Sequence, residues 1–224
     1  MSNLTLSVSP HIRSGVTTQQ IMRDVIIALC PALVASVIIF GWRSLLISAI
    51  SCAVCVATEY LWEKAFKKPV TVCDLSAIVT GLLVAYNVPV TMPIWEVIVG
   101  DVAAIALAKM LFGGIGCNFV NPALVGKIVM MFSFPLHSTD YVFPACGVDV
   151  LSSATPLPVL GELDMSNIGV LLLGNHGGML GETCMIALLL GGIYLVIRRV
   201  IMIGSSPTAF DEKYIPYSKG EPVI

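Results

Sequence analysis

The stretch VIIALCPALVASVIIFG, residues Val25–Gly41, decides the fold, because it runs without a single charged residue. A helix needs about 20 mostly apolar residues to cross the hydrocarbon core of a bilayer. The whole chain has the same character: 57% of its 224 residues are hydrophobic and 12% are charged, against about a quarter charged in soluble domains. Residues 1–20 are polar, so we expect a true first span without a cleaved signal peptide.

Apolar runs further along the chain predict an all-α polytopic membrane protein with about six transmembrane helices, some of them broken. Two runs are short, and the last one is interrupted by GNHGGMLGE, Gly174–Glu182. Such glycine- and proline-broken runs are typical of discontinuous helices. The predicted spans are Val25–Gly41, Ser44–Leu61, Leu75–Val90, Ile94–Phe112, Pro122–Phe134 and Ile168–Ile203.

Two glycine-rich interruptions, GGIGCNFVNP and GNHGGMLGE, are predicted to meet inside the bundle. Irregular backbone at membrane depth is tolerated only where it is buried in protein or lines a cavity. Two interpretations stay open: a cofactor or ion position, or close helix packing through small residues.

Basic residues predict the orientation, since cytoplasmic loops carry the excess of lysine and arginine. A cytoplasmic N-terminus puts all but one of the basic groups that flank the spans inside, and leaves only Arg43 in an outer loop. The loop at residues 137–167 is then extracytoplasmic, and the expected location is the inner (plasma) membrane. The inside set is Arg13, Arg23, Lys64, Lys67, Lys68, Arg198 and Arg199.

Charged residues within or at the ends of spans are functional candidates, because they are costly in lipid. We expect Glu59, Glu96 and Lys109 to lie at the membrane interfaces, and Asp74 and Asp101 to be buried. Lys127 and Glu182 complete the set.

The cysteines fit small apolar residues in lipid-facing or packed helices better than a metal site, because Cys52-x-x-Cys55 has no second pair at ligand spacing. We therefore assign no metal ligand and, in the absence of a nucleophile–base arrangement, no catalytic residue.

The polar island DVLSSATPLPVL, residues Asp149–Leu160, interrupts this apolar chain. Its start fits the pattern D-x-x-S-x-A-T and resembles the site at which a flavin transferase attaches FMN to a threonine through a phosphoester bond. Thr155 would supply the hydroxyl, while Pro156 holds the chain out of a helix. An ordinary Ser/Thr turn is the alternative. The flavin-site candidates are Asp149, Ser152, Ser153, Ala154, Thr155 and Pro156.

Three longer stretches resemble the RnfD/NqrB family, most closely its RnfD branch: SPHIRSGVTTQQIMRDVIIALCPAL at Ser9–Leu33, GGIGCNFVNPALVGKIVMMFSFP at Gly113–Pro135 and GNHGGMLGETCMIALLLGGIYLVIRRVI at Gly174–Ile201. The resemblance implies two inverted five-helix repeats, of which this chain has the first and one helix of the second. It also implies a covalent FMN on Thr155 and a non-covalent riboflavin towards the cytoplasm. The implied role is an electron carrier in the Rnf complex, which couples ferredoxin:NAD electron transfer to ion movement.

The implied partners are RnfG, RnfA, RnfE, RnfC and RnfB, together with the flavin transferase and membrane lipid. No nucleic acid is expected. The alternatives are an NqrB-type subunit of a sodium-pumping NADH:quinone oxidoreductase, a transporter- or channel-like subunit without redox role, and an assembly subunit without flavin. The intact motif around Thr155 favours the electron carrier.

The chain is expected to divide at the span boundaries into five parts. The last part is polar and matches nothing in the second repeat of the family, so we expect a cytoplasmic disordered tail. The parts are an N-terminal segment (1–24), a five-helix repeat (25–136), the flavin-bearing loop (137–167), a broken helix (168–203) and the tail (204–224).

Overall fold

The computed structural model describes residues 17–68, 70–141, 172, 174, 176–198 and 200–201. Within these residues the structure is helical, with no β-strand. The main helices are α1 (Thr18–Phe40), α2 (Trp42–Ala65), α3 (Ser76–Tyr86), α4 (Ile94–Ala103), α5 (Pro122–Ser133), α6 (Pro135–Ser138) and α7 (Met185–Ile197). A 3₁₀ turn at Val72–Asp74 precedes α3.

Helix α1 begins at Thr18, before the predicted boundary at Val25, because a capping box fixes its start. The Thr17 side chain accepts from the Gln20 amide, and the Gln20 side chain accepts from the Thr17 amide. Its end is set by Gly41, whose φ of +81° is available to glycine at little cost. Residues 18–24 therefore belong to the first helix.

Helix α3 ends at Tyr86, short of the predicted Val90, since Pro89 cannot continue the helical hydrogen bonding. Helix α4 starts after Pro93 and passes directly into a π-helical stretch, Ala104–Met110. A π-helix is rare and commonly marks a functional position within a longer helix.

Small residues let the helices approach closely. A Cβ atom on Gly81 of α3 would lie 2.8 Å from the Cys52 backbone of α2, and one on Gly126 of α5 would lie 2.9 Å from the Gly100 carbonyl of α4. Such contacts between backbones are typical of membrane helix packing.

The outer surface of the described bundle is apolar, as a lipid-facing surface requires. Ile38, Phe132 and Leu136 are all more than three-quarters exposed. Helices α1 and α2 are each long and apolar enough to cross a bilayer, and several shorter apolar helices accompany them. These properties are consistent with the predicted all-α membrane protein.

The bundle has two distinguishable ends. At the first, which we call the Asp24 end, Arg198 after α7 pairs with Asp24 of α1 at 3.1 Å, and Gln19 donates to the Cys73 carbonyl. At the opposite end, the Arg43 end, the Arg43 guanidinium donates to the carbonyls of Thr91 and Met92. Exposed basic residues near the Asp24 end are Arg23, Lys64, Lys67 and Lys68.

Replacing Gly191 with leucine should destabilise the bundle. A Cβ on Gly191 would lie 2.2 Å from the Ala28 carbonyl of α1, whereas one on Gly192 has no neighbour within 4 Å. Overpacking typically costs about 1–3 kcal/mol. We expect the thermal transition of Gly191→Leu in detergent to fall by several degrees, and that of the matched control Gly192→Leu to stay close to wild type. Equal losses in both variants would contradict this packing.

Candidate functional site

The predicted flavin-site residues, from Asp149 to Pro156, lie outside the described residues, so the assignment of FMN to Thr155 stays a prediction. The described segment that precedes them in the sequence, up to Tyr141, lies at the Arg43 end. There the Thr91 hydroxyl donates to the Asp140 carbonyl at 2.7 Å, and His137 Nδ1 lies 2.7 Å from Glu96 Oε1. These two contacts fix the position of residues 137–140.

A pocket of about 170 Å³ lies beside these contacts, between the end of α3 and helices α5 and α6. Its polar groups include Lys127, Asn87 and Tyr141. Burial, and secondarily the charge of Glu182, raises the pKa of the Tyr141 phenol, which keeps it a hydrogen-bond donor. The apolar part of the wall is rich in methionine: Met92, Met130, Met131 and Met179.

Lys127 is a half-buried cation within α5. Its ammonium contacts Asn87 Oδ1 at 3.2 Å and Met179 Sδ at 3.4 Å, and it makes no ion pair with a carboxylate among the described residues. A cation without a counterion inside a bundle favours an electron-rich or anionic group next to it. The pocket therefore has the chemistry to receive a polar ring edge or an anion.

The interruption GNHGGMLGE packs against the end of α3. The Leu180 amide donates to the Val88 carbonyl at 3.2 Å, and the Gly181 amide donates to the Tyr86 carbonyl at 3.0 Å. A Cβ on Gly181 would lie 2.3 Å from Tyr86 Cβ. The end of α3 and the interruption before α7 thus supply hydrogen-bond partners for each other's free backbone groups, as a water-free interior requires.

The other interruption, GGIGCNFVNP, differs from the prediction in its exposure. Gly113, Gly116 and Cys117 are exposed or partly exposed and follow the π-helix, and Gly113 and Gly116 have positive φ angles. This loop is a surface turn in the described chain, so the prediction that GGIGCNFVNP lies inside the bundle was wrong for its GGIGC part. GNHGGMLGE packs instead against the end of α3 and Val88 just after it, in a segment that the sequence pattern assigned to a span.

A polar stripe runs along the buried face of α2. Its residues recur at three- or four-residue intervals, so they share one face of the helix. Near its start Ser48 donates to the Ser44 carbonyl, and near its end the Glu63 carboxylate accepts from the amide and hydroxyl of Thr71. The stripe consists of Ser44, Ser48, Ser51, Cys55, Glu59 and Glu63.

Lys109 and Glu59 form a buried ion pair on this stripe. The Lys109 ammonium lies 2.6 Å from Glu59 Oε2 and donates to Ser76 Oγ, also at 2.6 Å. The side chains are 2% and 1% exposed. The pair connects α2, the start of α3 and the π-helix, and the wider turn of the π-helix carries the lysine.

The burial of the charged residues corrects the sequence-based expectation in part. Glu59, Glu96 and Lys109, expected at membrane interfaces, are buried inside the protein. Burial of Asp101 is confirmed, whereas Asp74 is only half-buried. Their position relative to the membrane interfaces stays a prediction. The three- or four-residue spacing of polar groups on α2 was the signal that identifies a protein-facing stripe.

The cysteines form no metal site with other ligands in the described part of the chain, and no disulfide joins them there. Cys55 is a buried member of the α2 stripe, and Cys52 faces the Ile78 carbonyl of α3. The positions of Cys52 and Cys55 agree with the expectation of small residues in helices, whereas Cys73 and Cys117 are exposed outside the α-helices.

The comparisons with known proteins agree with one another. Residues 5–206 match the model of the NQR2, RnfD, RnfE family. The chain is 45% identical over 204 residues to the D component of the Na⁺-translocating ferredoxin:NAD⁺ oxidoreductase complex of Acetobacterium woodii, covering 89% of this chain and 64% of the relative. It is 37% identical over 220 residues to the D component of the proton-translocating ferredoxin:NAD⁺ oxidoreductase complex of Clostridium ljungdahlii, covering 90% and 66%.

A third relative, the D component of the ion-translocating oxidoreductase complex of Alcanivorax borkumensis, is 33% identical over 225 residues, covering 89% of this chain and 66% of the relative. The chain thus spans about two thirds of the length of these curated relatives.

Replacing Lys109 with methionine should destabilise the bundle strongly, because it leaves Glu59 buried without its counterion. Breaking a buried pair on one side typically costs about 3–5 kcal/mol. The double variant Glu59→Gln/Lys109→Met removes both charges and should recover most of that loss. Thermal unfolding in detergent measures both effects. A double variant less stable than Lys109→Met would show that the pair is not the cause.

Proposed function

The chain belongs to the NQR2, RnfD, RnfE family, and on that premise we propose that it is the electron-carrying, RnfD-type membrane component of an ion-translocating ferredoxin:NAD oxidoreductase complex. The match over residues 5–206 carries this proposal, and the names of the relatives support it. The corresponding partners are RnfG, RnfA, RnfE, RnfC and RnfB.

The proposal includes FMN joined to the hydroxyl of Thr155 by a phosphoester bond, with Asp149, Ser152 and Ser153 around it. The D-x-x-S-x-A-T pattern supports this attachment. When bound, FMN supplies a carrier that accepts and gives up single electrons. The protein positions the group and keeps it apart from solvent. A non-covalent riboflavin on the cytoplasmic side is also part of the proposal.

The pocket beside Lys127 fits one end of a flavin ring system. Its volume of about 170 Å³ is below the roughly 300 Å³ or more typical of a site that encloses a whole ligand of that size. Lys127 and Asn87 supply polar contacts for such an edge, and the methionines supply an apolar wall. Tyr141 connects this wall to the segment that carries Thr155. These residues would hold the ring.

We propose that the Arg43 end faces outward and the Asp24 end faces the cytoplasm, in a multi-pass plasma-membrane protein. The separation of the basic residues supports this orientation, since Arg23, Lys64 and Arg198 lie near one end and Arg43 near the other. Asp140, which precedes the proposed flavin segment in the sequence, contacts Thr91 at the Arg43 end.

A second candidate function is a transporter- or channel-like subunit without redox role. The observation in its favour is the buried series of carboxyl groups on α2 and α4, namely Glu59, Glu96 and Asp101. Such groups in membrane helices commonly mark ion pathways. The presence or absence of covalent flavin separates the two candidates.

Thr155→Ala should lack covalent flavin, because alanine has no hydroxyl to esterify. The intact mass of the purified protein and its in-gel ultraviolet fluorescence after denaturation measure the bound FMN. The control is Thr139→Ala, which removes another threonine hydroxyl near the Arg43 end and should keep the flavin. Flavin retained in Thr155→Ala would place the attachment elsewhere, and wild-type protein free of flavin would favour the transporter-like candidate.

A reporter fused after Arg199 should behave as cytoplasmic, and one inserted near Asp164 should behave as external. The physical reason is the retention of basic loops on the cytoplasmic side. Paired alkaline phosphatase and fluorescent-protein fusions give signals of opposite sign at the two positions. Exchanged signals would invert the orientation and put Thr155 on the cytoplasmic side.

A further inference from the structure

Asp101 lies on the buried face of α4 and is 0% exposed. One carboxyl oxygen, Oδ1, lies 2.6 Å from Ser51 Oγ and 3.6 Å from Cys55 Sγ, both on α2. The other oxygen, Oδ2, is buried without a hydrogen-bond partner among the described residues. Asp101 is thus enclosed by protein, with no water-facing side.

The hydrogen-bond contacts of Ser51 indicate whether the Asp101 carboxyl is protonated. Ser51 Oγ lies 2.6 Å from Asp101 Oδ1 and 2.8 Å from the Gly81 carbonyl of α3. A serine hydroxyl has one hydrogen to donate, and both a carboxylate and a carbonyl only accept. With an ionised Asp101, one of these two short oxygen–oxygen contacts would contain no hydrogen. With a protonated Asp101, its carboxyl donates to Ser51 and Ser51 donates to Gly81, so both contacts are hydrogen bonds.

The charged groups around Asp101 independently favour a protonated Asp101. Several ionisable groups lie on the elements packed against α4, but of those in the described chain only Cys55 contacts Asp101. The two nearby ammonium groups are directed elsewhere: Lys109 contacts Glu59 and Ser76, and Lys127 contacts Asn87 and Met179. The ionisable groups are Arg43, Cys52, Cys55, Glu59, Tyr60, Glu63 and Lys64 of α2, Tyr86 of α3, Lys109 of the π-helix, Lys127 of α5 and His137 of α6, which contacts Glu96, with Glu96 on α4 itself.

An ionised carboxylate in this position would be a buried charge without a counterion, which costs several kcal/mol even after relaxation. A neutral carboxylic acid avoids that cost and retains its hydrogen bond to Ser51. The single hydrogen of the Ser51 hydroxyl and the lack of a counterion for Asp101 therefore both require one additional positive charge at Asp101. At 2.6 Å, the Asp101 and Ser51 oxygens are at hydrogen-bond separation, with no room for a metal ion between them.

We propose that Asp101, Ser51 and the Gly81 carbonyl form a proton-binding site between α2, α3 and α4, in which Asp101 carries the proton at neutral pH. The site is separate from the Lys109–Glu59 pair, where the carboxylate is ionised and matched by the ammonium. Its ligand is H⁺, and it is independent of whether Thr155 carries FMN.

Infrared spectroscopy of the full chain in lipid nanodiscs tests the site directly. A protonated carboxyl absorbs in the C=O stretching region above the amide I band, where an ionised carboxylate does not. We expect wild-type protein at pH 7 to show such a band, Asp101→Asn to lack it, and Ser51→Ala to shift its frequency because the acceptor is removed. The matched control Glu96→Gln removes another buried carboxyl of α4 and should leave the Asp101 band in place.

A second measurement does not depend on the folding of any variant. Wild-type protein labelled with ¹³C at the aspartate side-chain carboxyls should shift the same band to lower frequency, which assigns it to aspartate. A band unchanged by the aspartate label, or no band, would overturn the proposal, because Asp101 would then be ionised. Loss of the band when sodium chloride replaces choline chloride would also overturn it, in favour of a sodium ion at Asp101.

Discussion

The buried pair of Lys109 and Glu59 is the interaction on which the arrangement of the described helices depends. It brings an ammonium and a carboxylate to 2.6 Å in an interior where both side chains are almost completely enclosed. Two such charges can be removed from water only if each compensates the other. Because Lys109 also donates to Ser76, the pair fixes the positions of α2, α3 and the π-helix together.

The polar stripe on α2 extends this constraint along the bundle. A membrane helix loses no stability by exposing apolar side chains to lipid, so burial of apolar surface does not by itself select one packing arrangement. Polar groups do select one, because each must find a partner among the neighbouring helices. Ser51 contacts Gly81 of α3 and Asp101 of α4, which sets the positions of three helices through one hydroxyl group. Small residues such as Gly81 make the required distances possible.

The Arg43 end has a different character from this interior. Here α3 stops short of a full span, and the backbone groups freed at its end bond to the segment that precedes α7. The same region contains the Lys127 pocket and the Thr91–Asp140 contact. Irregular backbone and an uncompensated cation therefore occur together. That combination suits a place where an electron-carrying group is held between helices, as the proposed function requires.

The sequence by itself determined the membrane character, the helical class, most helix positions and the family, because these depend on local properties: long apolar runs, glycine and proline breaks, and short motifs. Predicted and observed starts agree at α4 and α5, and the main differences arise where a cap or a proline acts, as at Thr17 and Pro89. The sequence also singled out Asp101 as a buried acid. Only the tertiary structure decided which charges are paired and which glycines are buried. Glu59 and Lys109 are 50 residues apart, and the partner of GNHGGMLGE is the end of α3 and not the GGIGC loop. Side-chain partners across helices depend on rotation and register, which no local pattern specifies, since a small rotation of α2 would change every one of these contacts.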